Sequence, residues 1–226
     1  MPRTSPARIL HFDTEFTSLG EPWPVHLVSV GLCDDAGRRL FYAESSDFDP
    51  ALCSEFTRER VIPLLERGDK SLDYPQLCDG FFSAISALGE PCALAADSEW
   101  DWLWAQMMAQ GEIAARGKLF VDDPSVLPAW PANLSPRFAR LAFEGLPRAD
   151  KAASWAASSR WFADKFPHHA LADAAGNALR ARAAIESNPG RDASRPADLA
   201  ATFSLPPSAW DWTPRSPRSR SGAGHA

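Results

Sequence analysis

The chain has 226 residues, of which 45% are hydrophobic and 23% charged, with a net charge of −6 and a pI near 5.4. That length and composition exclude a disulfide-stapled mini-scaffold and a wholly disordered chain, and leave one domain with modest extras. The acidic balance excludes bulk-cation binding to nucleic acid. It leaves open an enzyme with a local nucleic-acid cleft, because a metal site can itself be built from carboxylates.

In chain order, Arg8 to Phe12 reads as a strand and Val25 to Cys33 as a second. Asp34-Asp35-Ala36-Gly37 is a hairpin signal, and Arg38 to Glu44 returns as a third strand, so the chain opens on three antiparallel strands. Ser54 to Glu66 and Tyr74 to Leu88 carry apolar residues near helical spacing. Arg67-Gly68-Asp69 is a surface turn. Cys92 to Ala96 is a short buried strand, Trp100 to Gln110 a helix, and Lys118 to Val121 a fifth strand. Pro124 to Pro136, with four prolines, reads as a loop. Ala139 to Gly145 and Ala152 to Lys165 read as short helices or irregular chain. His168 to Ser187 is an alanine-rich helix stopped at Asn188-Pro189-Gly190.

Strands, helices, strand, helix, strand and a late helix suit a mixed α/β sheet with helices packed on it. The expected layout is an extension over 1–7, a domain over 8–205 and a disordered basic tail over 206–226, where Thr213 to Ala226 holds three arginines and no acid. No internal repeat is present. No apolar run approaches the roughly 18 residues of a membrane helix, and no secretory signal is expected at the start. Cys33, Cys53, Cys78 and Cys92 lack zinc-knuckle spacing and read as small buried hydrophobes in a reducing compartment, with the cytoplasm as the expected location.

Three acidic clusters could carry chemistry. In Phe12-Asp13-Thr14-Glu15-Phe16, alternation puts Asp13 and Glu15 on one strand face, their Cα atoms roughly 6–7 Å apart, with Thr14 facing away. Two such carboxylates can grip a hard cation between them, or else form a solvated strand end. Asp97-Ser98-Glu99-Trp100-Asp101 opens a helix, where Asp97 or Ser98 suits the cap. Asp101, flanked by tryptophans, needs another reason. In Pro167-His168-His169-Ala170-Leu171-Ala172-Asp173, a regular helix puts His169 and Asp173 on one face and His168 about 140° from Asp173.

Asp13-Thr14-Glu15, Trp100-Asp101 and His168-x-x-x-x-Asp173, in that order, resemble the three motifs of the DEDDh 3′–5′ exonucleases, which share a ribonuclease H-like fold. The likeness is nearest to the small bacterial exoribonucleases related to the mycobacterial DEDDh exoribonuclease. His26-Leu-Val-Ser-Val-Gly31, Asp35-Ala-Gly37, Phe41-Tyr-Ala43 and Phe48-Asp49-Pro50 look like that group's hairpin and the segment after it, so the resemblance spans roughly 8 to 180. It implies a ribonuclease H-like mixed sheet flanked by helices, and a magnesium- or manganese-dependent exoribonuclease that releases nucleoside 5′-monophosphates from single-stranded 3′ ends. It implies Asp13, Glu15, Asp101 and Asp173 as ligands of two cations, with Asp13, Glu15 and Asp173 on one and Asp13 and Asp101 on the other. It makes His168, rather than His169, the general base, and sets Phe16 and Leu19 against the 3′-terminal nucleotide. It also implies a homodimer. One departure is Asp97, where many members have asparagine, preceded by Ala96. The stretch between Asp123 and Trp161 has no counterpart identified.

Three other readings remain: a single-stranded DNA 3′–5′ exonuclease, a non-catalytic nucleic-acid-binding module of the same fold, and a glycosidase-type pair formed by Asp13 and Glu15, which needs no metal.

Overall fold

The computed structural model describes residues 7–19, 24–112, 114–115, 121–163, 165, 167–192 and 196–203. Its strands are β1 (Arg8–Phe16), β2 (Val25–Asp34), β3 (Arg39–Ser45), β4 (Ser71–Leu72), β5 (Cys92–Ala96), β6 (Ala114–Ala115) and β7 (Leu134–Arg140). Its helices are α1 (Tyr74–Ser86), α2 (Glu99–Gln110), α3 (Arg148–Trp161), α4 (Ala170–Glu186) and α5 (Pro196–Thr202). The sheet runs β4-β3-β2-β1-β5-β7, with β6 on β2. β1, β2 and β3 are antiparallel, while β5 lies parallel to β1 and β7 parallel to β5. This is the mixed, helix-flanked sheet expected of a ribonuclease H-like fold.

Alternation along β1 and β5 sorts the core into two layers. Leu10, Phe12, Leu94 and Ala96 face a large cluster with Phe81 and Ile85 of α1 and Leu103 and Trp104 of α2. Ile9, Ala93 and Ala95 face the other way, against Ala181, Ala184 and Ile185 of α4. Small side chains on both β5 and α4 let that helix lie close to the sheet. Gly31 sets the limit of approach. A Cβ there would sit 2.4 Å from the Cα of Leu171, so only glycine lets the start of α4 rest on β2.

Several elements depart from the sequence reading. The helix expected over 54–66 is a short π-helical turn, Thr57–Val61, followed by a 3₁₀ turn, Ile62–Leu64. Pro63 cannot continue an α-helical ladder. The loop expected through Pro136 instead becomes β7, an edge strand. Its register jumps between Cys92↔Leu134 and Leu94↔Phe138, so Pro136 lies within an irregularity where no ladder donor is needed. Ala139–Arg140 therefore belongs to a strand, and only Phe143–Gly145 forms a 3₁₀ turn. The helix expected over 152–165 runs from Arg148 to Trp161, and α5 has no counterpart in the sequence reading. Of the strand expected over 118–121, residues 118–120 lie outside the described residues. Val121 is not in a strand; its backbone exchanges hydrogen bonds with the Gln106 side chain. Residues 1–6 of the expected extension over 1–7, and the tail over 206–226, also lie outside the described residues. The hairpin turn is as read: Asp34 accepts from the N–H groups of Ala36 and Arg38 and pairs with the Arg38 guanidinium. The four cysteines are free and buried. Among the described residues no helix is long and apolar enough to cross a membrane.

Candidate active site

The acids meet where the two faces of the sheet end. Asp13 and Glu15 leave β1 toward the α4 layer. Thr14 leaves it toward α2, where Asp101 stands in the first turn. Asp101 Oδ1 accepts from the Thr14 backbone N–H at 2.9 Å and from the Thr14 hydroxyl at 2.7 Å. Thr14, read from alternation as facing away, thus clamps the acid that arrives from the opposite layer. Ser98 caps α2 by accepting from the Trp100 N–H. That leaves Asp97 out of the cap and beside the cluster.

Two sets of ligand atoms result, each with all atoms within 4.8 Å of one another: Asp13, Asp97 and Asp101; and Glu15, His168 and Asp173. The four acids of the three motifs thus lie together, and each of the others acts electrostatically on Asp13. Asp97 joins them and also lies 4.0 Å from Arg180 of α4. The sequence offered Asp97 only as a cap candidate and as a departure from an expected asparagine. Arg180, three residues beyond Asn177 on α4, carried no sequence signal.

The start of α4 separates the two histidines. His169 is the N-cap residue: its ring accepts from the Ala172 N–H at 3.4 Å, stacks on Tyr42 at 4.6 Å and faces Glu66 at 3.5 Å. The face it would share with Asp173 in a regular helix does not form, because the helix begins one residue later. His168 has φ 71, an uncommon conformation for a residue with a side chain. Its N–H donates to Asp173 Oδ2 at 2.8 Å while its ring joins Glu15 and Asp173. The His168 and Phe56 rings meet edge to face, with 4.7 Å between their centroids. Phe16 packs against Trp100 at 5.4 Å, and Leu19 is 77% exposed beyond it.

Burial and mutual repulsion hold the carboxyls in their protonated forms to unusually high pH. Burial, then Asp173 and Asp101, push Glu15 up to about 8. Burial, then Asp97, push Asp101 up to about 8 despite the Thr14 bonds. Burial raises Asp173 to about 7, and Asp13, crowded by all the others, lies well above the ordinary carboxylate range. His168 is lowered, by burial and then by Arg60, and so stays neutral near pH 7. Asp101 Oδ2 is buried without a hydrogen-bond partner among the described residues. Carboxylate oxygens with one imidazole, an orphaned buried oxygen and crowded negative charge fit hard divalent cations.

No protein-family description and no curated protein matches the sequence. In structure the chain is similar to S. pombe Pop2p in its Mg2+- and Mn2+-bound form, at a TM-score of 0.49 and 10% identity over 77% of this chain and 81% of that one. The likeness is too slight to carry activity, metal or substrate to this chain.

Proposed function

We propose that the protein is a metal-dependent 3′–5′ exonuclease that acts on single-stranded RNA and releases nucleoside 5′-monophosphates. The observation that supports this reading most is the pair of ligand sets, Asp13–Asp97–Asp101 and Glu15–His168–Asp173, at the end of one strand. Asp13, Glu15 and Asp173 would hold one Mg2+ or Mn2+, and Asp13 and Asp101 a second, with Asp97 beside the latter. Cations there would activate the attacking water and neutralise the departing 3′ oxygen. His168, neutral near pH 7, has a ring nitrogen available to take the water's proton as its oxygen attacks phosphorus. Asp173 fixes the His168 backbone, and Thr14 fixes Asp101. Phe16 and Leu19 would meet the 3′-terminal nucleotide. A homodimer and a cytoplasmic location belong to the same reading.

The test is to incubate the protein with RNA and DNA strands labelled at the 5′ or the 3′ end, with Mg2+, with Mn2+ or with chelator. The expected result is metal-dependent shortening from the 3′ end, faster on RNA. Faster shortening of DNA selects the deoxyribonuclease alternative. Undiminished cleavage in chelator, or Asp13→Ala cleaving as fast as the parent, overturns the reading.

A further inference from the structure

A second concavity, of about 550 Å³, opens beyond the end of β3. Its polar lining is Ser45, Ser46, Ser71, Arg58 and Arg67, and none of the described residues lining it is acidic. Phe48, Pro50 and Ile62 supply an apolar wall. Ser45 is 1% exposed, and its Oγ accepts from the Asp47 N–H, a bond that leaves its hydroxyl hydrogen unused. Arg58 is pinned at the wall by donating to the Cys53 carbonyl. The neighbouring acids Glu44 and Asp47 are already hydrogen-bonded, in part to lining residues. Glu44 accepts from Tyr42 and from the N–H groups of Glu66 and Arg67, and Asp47 accepts from Ser46 and the Tyr74 N–H. Two arginines with Ser45 and Ser71, lining one concavity to which no carboxylate-bearing residue contributes, offer the kind of donors a phosphate oxygen requires.

Arg67 adds a second observation. It sits at φ 59 and ψ −162, a region that belongs almost wholly to glycine. Glycine would relieve the strain there but could not supply the guanidinium.

The register places this cavity at the same end of the sheet as the acids. Glu15 pairs with Ser29, and Ser29 with Glu44. β3 runs parallel to β1, so Ser45 and Ser46 lie at the same end of the sheet as Glu15, two strands or about 10 Å away, with the Ser45 side chain on the face opposite that of Glu15. The π-helical turn bridges the interval, with Phe56 just ahead of it against the His168 ring and Arg58 lining the cavity.

We propose that the Ser45–Arg58–Arg67 cavity is a phosphate subsite that holds a backbone phosphate of a single strand upstream of its 3′ end. The proposal rests on the exonuclease reading for the identity of the strand, and its test does not depend on cleavage. Binding of a 5′-fluorescein six-nucleotide RNA is measured by anisotropy in chelator, across a salt series, with AMP as competitor. Arg67→Gly is expected to weaken binding about tenfold and to reduce the log–log salt slope by about 1, with a melting temperature no lower than the parent's. Arg67→Lys should recover part of the affinity, and Ser45→Ala should weaken binding in the same direction. Parent-like affinity and salt slope in both Arg67→Gly and Ser45→Ala overturn the proposal. AMP binding as tight as the six-mer and equally dependent on Arg67 also overturns it, because the phosphate would then come from a free nucleotide. Arg67-dependent binding without cleavage in Mg2+ keeps the subsite and removes the exonuclease reading instead.

Discussion

Thr14 and His168 are the residues whose local geometry has the most direct chemical consequence. Both Thr14 donors end on one Asp101 oxygen, leaving the other buried without a hydrogen-bond partner among the described residues. Thr14→Val keeps the shape and the backbone bond but removes the hydroxyl. Isothermal titration should then find Mg2+ affinity reduced about 10–100-fold, as when an outer-shell partner of a metal ligand is lost. His168 and His169 should separate by assay. His168→Ala is expected to lower kcat by about 10²–10⁴-fold, the range of a general base. His169→Ala removes the cap acceptor of α4 and should cost about 1 kcal/mol in chemical denaturation. Equal kcat losses in the two variants would contradict this division of roles. The two-histidine cluster was visible in the sequence, but which ring joins the acids depends on where α4 begins, and spacing alone does not fix that point.

The approach of α4 to the sheet is what assembles the site from separate elements. Gly31 pairs with Asp13 across β1 and β2, and its missing side chain is the space into which Ala170 and Leu171 settle. Gly31→Ala should displace the start of α4, carrying His168 and Asp173 away from Glu15. Overpacking of this kind costs about 1–3 kcal/mol, and turnover should fall by more than that stability loss accounts for. Parent-like kcat in a folded Gly31→Ala protein would show that the close approach is not required. The strands and hairpin were legible because alternation, β-branched residues and the Asp34–Gly37 turn are local signals. The 54–66 segment misled because its apolar spacing is helical while Pro63 breaks the ladder. β7 was missed because Pro136 reads as loop, although an edge strand with an irregular register tolerates it.

Across the whole molecule the acidic pocket couples stability to pH and to metal. Glu15, Asp101 and Asp173 titrate near 8, 8 and 7 in the folded chain, above the ordinary carboxylate range of the unfolded one. The folded state therefore binds more protons through that interval, and its stability falls as pH rises from about 4 through 8. Thermal unfolding in chelator should show a melting temperature that declines from pH 6 to pH 9. Saturating Mg2+ should raise the melting temperature, most at the alkaline end, because it binds the folded state and offsets the repulsion. A chelated melting temperature that rises with pH, or Mg2+ that leaves it unmoved at every pH, would mean that the carboxylates are not crowded as described.

The sequence alone determined the order of the opening strands, the turn between β2 and β3, the amphipathic stretches and three acidic clusters, since each is written in neighbouring residues. The resemblance implied that clusters some 70 to 90 residues apart act together and that His168 rather than His169 is the base; only the tertiary structure decided how they come together, that Asp97 joins them, that Thr14 serves Asp101, and that α4 begins late enough for His168 to turn toward the acids. Those outcomes depend on how closely helices pack onto opposite faces of one sheet, a distance set by alanine and glycine contacts between elements remote in the chain.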